Sequence, residues 1–150
     1  MRRTITYQYA EVPRKLITPV YLYPAVSPAG TQSIVTNALW DTGATFSAIS
    51  VDVANQLKLV PADRVCVTGV HSTNTVDAGI ITVELPDHVI KKDIRVAICT
   101  LNPSIGMILG MDIIMLGDLA VSNGNGQSLF SFAIPPFKNK MDFSARKYEP

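Results

Sequence analysis

The stretch LWDTGATFSAIS, residues 39–50, sets one aspartate inside a run that otherwise reads as a buried strand followed by a tight turn. A lone carboxylate in apolar surroundings is unfavourable unless it is hydrogen-bonded, paired or protonated. Asp41 therefore needs either a structural partner or a chemical role, and the rest of the chain must supply the reason.

The whole-chain properties narrow the choice. At 150 residues the chain has the length of a single domain, long enough to bury a core without disulfides or a structural metal. Its 47% hydrophobic and 17% charged residues make it more apolar than an ordinary soluble domain, which points to a face covered by a partner subunit. The net charge is +1, with Lys and Arg scattered, so the footprint of a nucleic-acid binder is missing. The longest apolar run, MILGMDIIML, is too short to span a bilayer and carries Asp112. No apolar segment follows the basic residues of MRRTITYQYAEVPRKL, as a secretory signal would require. We expect a soluble, cytoplasmic protein without membrane contact. Two cysteines, Cys66 and Cys99, fit a reducing compartment and are expected as buried small hydrophobes. His71 and His88 have no partners at metal-ligand spacing, so no metal and no cofactor is expected.

Strand signals dominate. TPVYLYPAV and QSIVTNALW, separated by Pro28-Ala29-Gly30, read as a hairpin. SVDVANQLKLV changes period and predicts one short helix with Val51, Ala54 and Leu57 on its buried face. Ser50 is its cap, Asp52 lies in its first turn, and Pro61 bars its continuation. RVCVTGVHSTNTVDAGIITVEL predicts a long hairpin with its tip at residues 70–75, and HVIKKDIRVAICTL predicts further strands. GMILGMDIIMLGDL reads as a buried strand turning at Gly110 into a short helix, with Gly117 a candidate for the position after its C-cap. GDLAVSNGNGQSLFSFAIPP predicts two strands around residues 123–126. Residues 137–150 form a polar, weakly patterned tail, and residues 1–136 are assigned to the domain.

Both ALWDTGATFSAIS and GMILGMDIIML run strand, glycine turn, helix, a faint internal echo. With Asp-Thr-Gly at 41–43 and an apolar pair before Gly110 some sixty residues on, the chain resembles the retropepsin-like aspartic proteases over roughly Val20 to Pro136. The resemblance implies a mainly β, closed barrel of acid-protease type with one or two short helices and an active site at a homodimer interface. It implies that Asp41 is catalytic and that Ile108-Leu109-Gly110 packs behind it. It also implies that Thr42 bonds across to the other subunit, that Gly43 admits close backbone approach, and that Ala44 and Thr45 line the substrate floor. Many retroviral members carry an acid where Thr45 stands. Gly69, Val70 and His71, with Ser72, sit where the family has a flap over bound peptide, and Ile108 joins the substrate contacts.

The chemistry agrees. Two carboxylates side by side cannot both ionise cheaply, so they share a proton and act as acid and base together. The chain has one Asp-Thr-Gly, so the second carboxylate must come from a twofold-related copy. The expected function is an aspartic endopeptidase acting on peptide or unfolded protein. A dimeric peptide-binding or assembly module without cleavage is the alternative, and the intact Asp-Thr-Gly speaks against it. An aspartate-dependent phosphatase is disfavoured by Gly43, where an Asp-x-Asp motif needs its second acid, and by the missing α/β alternation. Without the second motif, Asp41 would read as a turn residue; His71 reads as an exposed turn residue more readily than as a catalytic one, and Asp112 and Asp118 read as helix-start and turn residues.

Overall fold

Residues 1–26, 32–69 and 72–145 are described by a computed structural model. Its strands are β1 (Arg3–Tyr9), β2 (Ile17–Pro24), β3 (Ile34–Trp40), β4 (Ala48–Ser50), β5 (Asp63–Thr68), β6 (Thr73–Leu85), β7 (Val89–Cys99), β8 (Met107–Leu109), β9 (Asp118–Gly124) and β10 (Gln127–Ile134). Two short helices, α1 (Val51–Gln56) and α2 (Met111–Ile114), follow β4 and β8.

Six strands close into a ring. The order β2-β3-β8-β4-β7-β6 returns to β2 through pairing of Tyr21–Pro24 with Ile81–Glu84, and β5 hangs from β6 outside the ring. Alternation drives the closure: Thr18, Val20 and Leu22 of β2 point inward, as do Ile81, Val83 and Leu85 of β6, the period-2 pattern of strands with one buried face. A second sheet, β1-β10-β9, packs on the barrel. Trp40 joins the two, its ring 5.0 Å from Phe130 and 4.9 Å from Phe132, while its indole N–H donates to the buried Thr18 hydroxyl at 2.9 Å. Phe130 and Phe132 are fully buried, each stabilising the fold by roughly 1.5–3 kcal/mol.

The β2–β3 hairpin forms as expected, although Pro28-Ala29-Gly30 lies outside the described residues. Asn125 and Gly126 both have positive φ, 52° and 75°, the primed turn that matches strand twist in a two-residue hairpin. Four expectations are corrected. Helix α1 is capped by Ser50, which accepts from the Val53 amide, but its buried residues are Val53 and Ala54 with Leu57, and Val51 is 43% exposed. The core lies on the side that the 53/57 spacing faces. The β5–β6 strands pair up to Thr68–Thr73, so the hairpin tip is shorter than 70–75. Gly117 lies beyond the C-cap residue Met115 and its neighbour, and a side chain there would meet the Ala133 carbonyl at 2.2 Å. Cys66 is exposed on β5 and Cys99 only partly buried, because Cys66 lies on the open arm beyond the barrel; burial pushes the Cys99 thiol pKa up.

Sequence reading assigned no strand to residues 3–9, which form β1 along the whole of β10, from Arg3–Ile134 to Tyr9–Ser128. Past β10, a single 3₁₀ turn at Phe143–Ala145 is the regular structure among the described residues.

Candidate active site

β3 and β8 run parallel, Trp40 beside Leu109, and the chain breaks from the sheet one residue later on each side. Asp41 sits at that break. Its amide donates to the Leu109 carbonyl at 3.0 Å, while the Met111 amide donates to the Ala44 carbonyl at 2.8 Å. These reciprocal bonds lash the two glycine turns of the internal echo together. Gly110 is where they touch: a Cβ there would stand 2.7 Å from the Phe46 carbonyl carbon and 2.9 Å from the Ala44 oxygen, backbone atoms that cannot swing aside. Of the Ile108-Leu109-Gly110 triplet, Leu109 and Gly110 thus lie against the Asp41 loop.

The loop itself turns tightly, with the Ala44 amide donating to the Asp41 carbonyl at 3.2 Å and the Gly43 amide donating to Asp41 Oδ1 at 2.8 Å. A Cβ on Gly43 would approach that same oxygen to 3.1 Å. The Asp41 side chain is half-buried, and the Gly43 amide is its hydrogen-bond partner among the described residues. It faces a cleft of about 1510 Å³ that runs between the loop, the β5 arm and β7. Ala44, Thr45, Gly69 and Ile108 line this cleft with it. Thr42 is exposed and outside the cleft lining. Val70 and His71 lie outside the described residues. Gly69 closes the hairpin end by donating its amide to the Ser72 carbonyl at 2.8 Å.

Two residues of the site were not singled out from sequence. Ser47, fully buried, donates its hydroxyl to Asp112 Oδ1 at 2.8 Å and its amide to Oδ2 at 3.1 Å, and accepts the Gly110 amide at 3.1 Å. Asp112 is thus a helix-start acid, as read, but its carboxylate is committed to Ser47 and clamps the Asp41 loop onto α2. Phe46, 65% exposed, is the large aromatic of the cleft rim. A local pattern cannot announce a bond that joins positions 65 apart; for Phe46 the signal was present, an aromatic one turn past the aspartate. No group of three or more His, Cys, Asp or Glu among the described residues is placed to hold a metal ion.

With this geometry in view, residues 29–113 match the sequence profile of a family described as aspartyl protease. The chain belongs to the aspartyl protease family. The matched stretch runs from the β2–β3 connection into α2 and so takes in both glycine turns. Among solved structures, the fold is similar to a retropepsin-like aspartic protease from Rickettsia conorii, with a TM-score of 0.53 and 14% identity over 89% of this chain and 96% of that one. Simian Foamy Virus (mac) protease is also similar, at a TM-score of 0.41 and 16% identity over 65% of this chain and 91% of that one. No curated protein gives a significant match. The architecture of this aspartyl protease family member is the mainly β, retropepsin-like closed barrel expected from the sequence.

Proposed function

We propose that the chain is an aspartic endopeptidase whose active site forms when two copies bring their Asp41 side chains face to face. One observation carries the reading. Asp41 stands in Asp-Thr-Gly at the mouth of a cleft large enough for an extended peptide, while of the other acids that line the cleft Asp112 is occupied by Ser47 and Asp93 stands on β7 beside Lys92. The partner of Asp41 then has to come from another chain, and a twofold axis supplies an identical one.

In such a pair one carboxylate holds the proton that the other lacks. The charged member takes a proton from a water lying between them, and the water oxygen attacks the peptide carbonyl. The protonated member donates a hydrogen bond to the carbonyl oxygen as negative charge gathers there. The tetrahedral intermediate then collapses as a proton passes to the leaving nitrogen. Gly43 serves by presenting its amide to the carboxylate without a side chain in the way. Thr42, exposed at the turn, is free to reach the other subunit with its hydroxyl. Ala44, Thr45 and Ile108 form the floor and wall under the peptide, and the β5–β6 hairpin, whose Gly69 lines the cleft, covers it.

The test is cleavage of a denatured protein by the wild-type chain and by Asp41→Asn, with and without a pepstatin-type inhibitor. The wild type is expected to cut and the inhibitor to stop it. The Asn variant is expected to remain a folded dimer and to be inactive, because an amide cannot take the proton from water. Cleavage by Asp41→Asn at near wild-type rate would end the proposal, and peptide binding without cleavage by the wild type would favour a binding module.

A further inference from the structure

The cleft has a charged end as well as a catalytic one. Arg64 of β5 and Lys91, Lys92 and Arg95 of β7 line it together with Asp41. The two arginines are already engaged. Arg95 grips Asp63 with both Nε and Nη2, at 3.2 and 2.6 Å, and so ties β7 to β5. Arg64 faces Asp77 at 3.6 Å and donates to the Thr75 carbonyl at 3.1 Å. Lys91 and Lys92 have no hydrogen-bond or ion-pair partner among the described residues. Asp93, beside them on the same wall, offsets part of their charge.

The backbone is irregular where the two lysines stand. Adjacent residues of a regular strand point to opposite faces, but β7 is irregular here. Between the pairs Ile81–Ile94 and Val83–Lys91, β6 contributes only Thr82 while β7 contributes both Lys92 and Asp93, and Asp93 takes a φ of 55°. This is a β-bulge, a device that re-aims side chains and is common beside active sites. The bulge carries charged residues only and opens on the space that Asp41 faces.

We propose that Lys91 and Lys92 form an outer subsite that selects peptides bearing an acidic side chain several residues away from the bond cut. The inference rests on the endopeptidase reading and adds a substrate preference to it. Ala97 of β7 lies beside Ala48, close behind the Asp41 loop, and from Ala97 back to Lys92 the strand spans roughly 16 Å. An extended peptide covers that distance in about five residues. The paired arginines hold the wall in place, and the unpaired lysines supply the attraction. Because both are exposed, each contact is modest and sensitive to salt.

Two matched fluorescent peptides test the subsite. They share an apolar centre and differ only in flanking residues, Glu in one and Gln in the other. Binding and cleavage are measured for the wild-type chain and for the double variant K91Q/K92Q. The wild type is expected to favour the Glu peptide by about fivefold at low salt, with the ratio falling toward one in K91Q/K92Q and at high salt. Equal binding of both peptides by the wild type, or a preference that K91Q/K92Q retains, overturns the subsite. A binding preference that follows the lysines, with neither peptide cleaved, upholds the subsite and overturns the endopeptidase reading instead.

Discussion

Asp112 directs both carboxylate oxygens at one residue, Ser47, and Ser47 in turn receives the amide of Gly110. Three polar groups are thereby satisfied around the buried Ser47 hydroxyl, and removing one leaves the others short of a partner. Ser47→Ala is expected to destabilise the fold by about 1–3 kcal/mol, measured by urea unfolding, and to lower activity further by loosening the loop that carries Asp41. Asp112→Asn, which retains an acceptor, is expected to lose less than Asp112→Ala; equal stabilities for the two would mean that the clamp contributes nothing. A second residue-scale expectation concerns acid. The His88 ring, at 2.6 Å, and the Tyr23 hydroxyl, at 2.8 Å, hold the Glu84 carboxyl below its ordinary value. A carboxylate favoured in the folded state contributes stability above its unfolded pKa and loses it as pH falls through the folded one. Stability is therefore expected to drop on the acid side of about pH 4, and Glu84→Gln to flatten that limb; an unchanged limb in thermal melts across the acid range would refute the assignment. None of these partners was legible in the sequence. Asp41 was, because an acid between Trp40 and Thr42-Gly43 conflicts with its apolar surroundings, and conflict is visible locally. A satisfied acid such as Asp112 raises no such conflict and passes for an ordinary helix-start residue.

Elements were legible wherever one local rule decided them. The β2–β3 and β9–β10 hairpins follow from alternation and turn residues, and α1 from Ser50 and a change of period. Its buried face was not, since Val51, Ala54 and Leu57 form one stripe in steps of three and Val53, Ala54 and Leu57 another around a full turn, and only the position of the core chooses Val53. The bulge in β7 was invisible for the same reason: nothing in IKKDIR says which strand will lie opposite. The β9–β10 turn offers a clean measurement of one local rule. A side chain on Gly126 would meet nothing within 4 Å, yet its φ is 75°, so Gly126→Ala tests backbone conformation alone. We expect a loss of about 1 kcal/mol in unfolding free energy, without loss of peptidase activity per folded dimer. A neutral result would show that the turn relaxes to another geometry.

At the scale of the whole molecule, the proposed site is half a site. Peptidase activity per chain is expected to fall on dilution through the dimer dissociation constant. Adding excess Asp41→Asn chains is expected to depress it beyond simple dilution, because mixed dimers hold one competent carboxylate. Activity strictly proportional to wild-type concentration, with subunit exchange shown independently, would mean that one chain suffices. The barrel's closure between β2 and β6 and the seam between β1 and β10 were the least legible features, since each joins segments far apart in the chain and no periodicity encodes which will meet. That seam also orders events in time. Arg2 donates to the carbonyls of Pro135 and Pro136, 133 and 134 positions onward, and Ile5 lies fully buried beside Phe132. β1 leaves the ribosome well ahead of β10 and must wait as an unpaired, sticky edge until its partner emerges. Such distant pairings make for slow, late assembly. A nascent chain halted before Gln127 has no strand for β1 to join, and so lacks the second sheet that packs Phe130 and Phe132 against Trp40: the aromatic seam between sheet and barrel closes only once β10 is out.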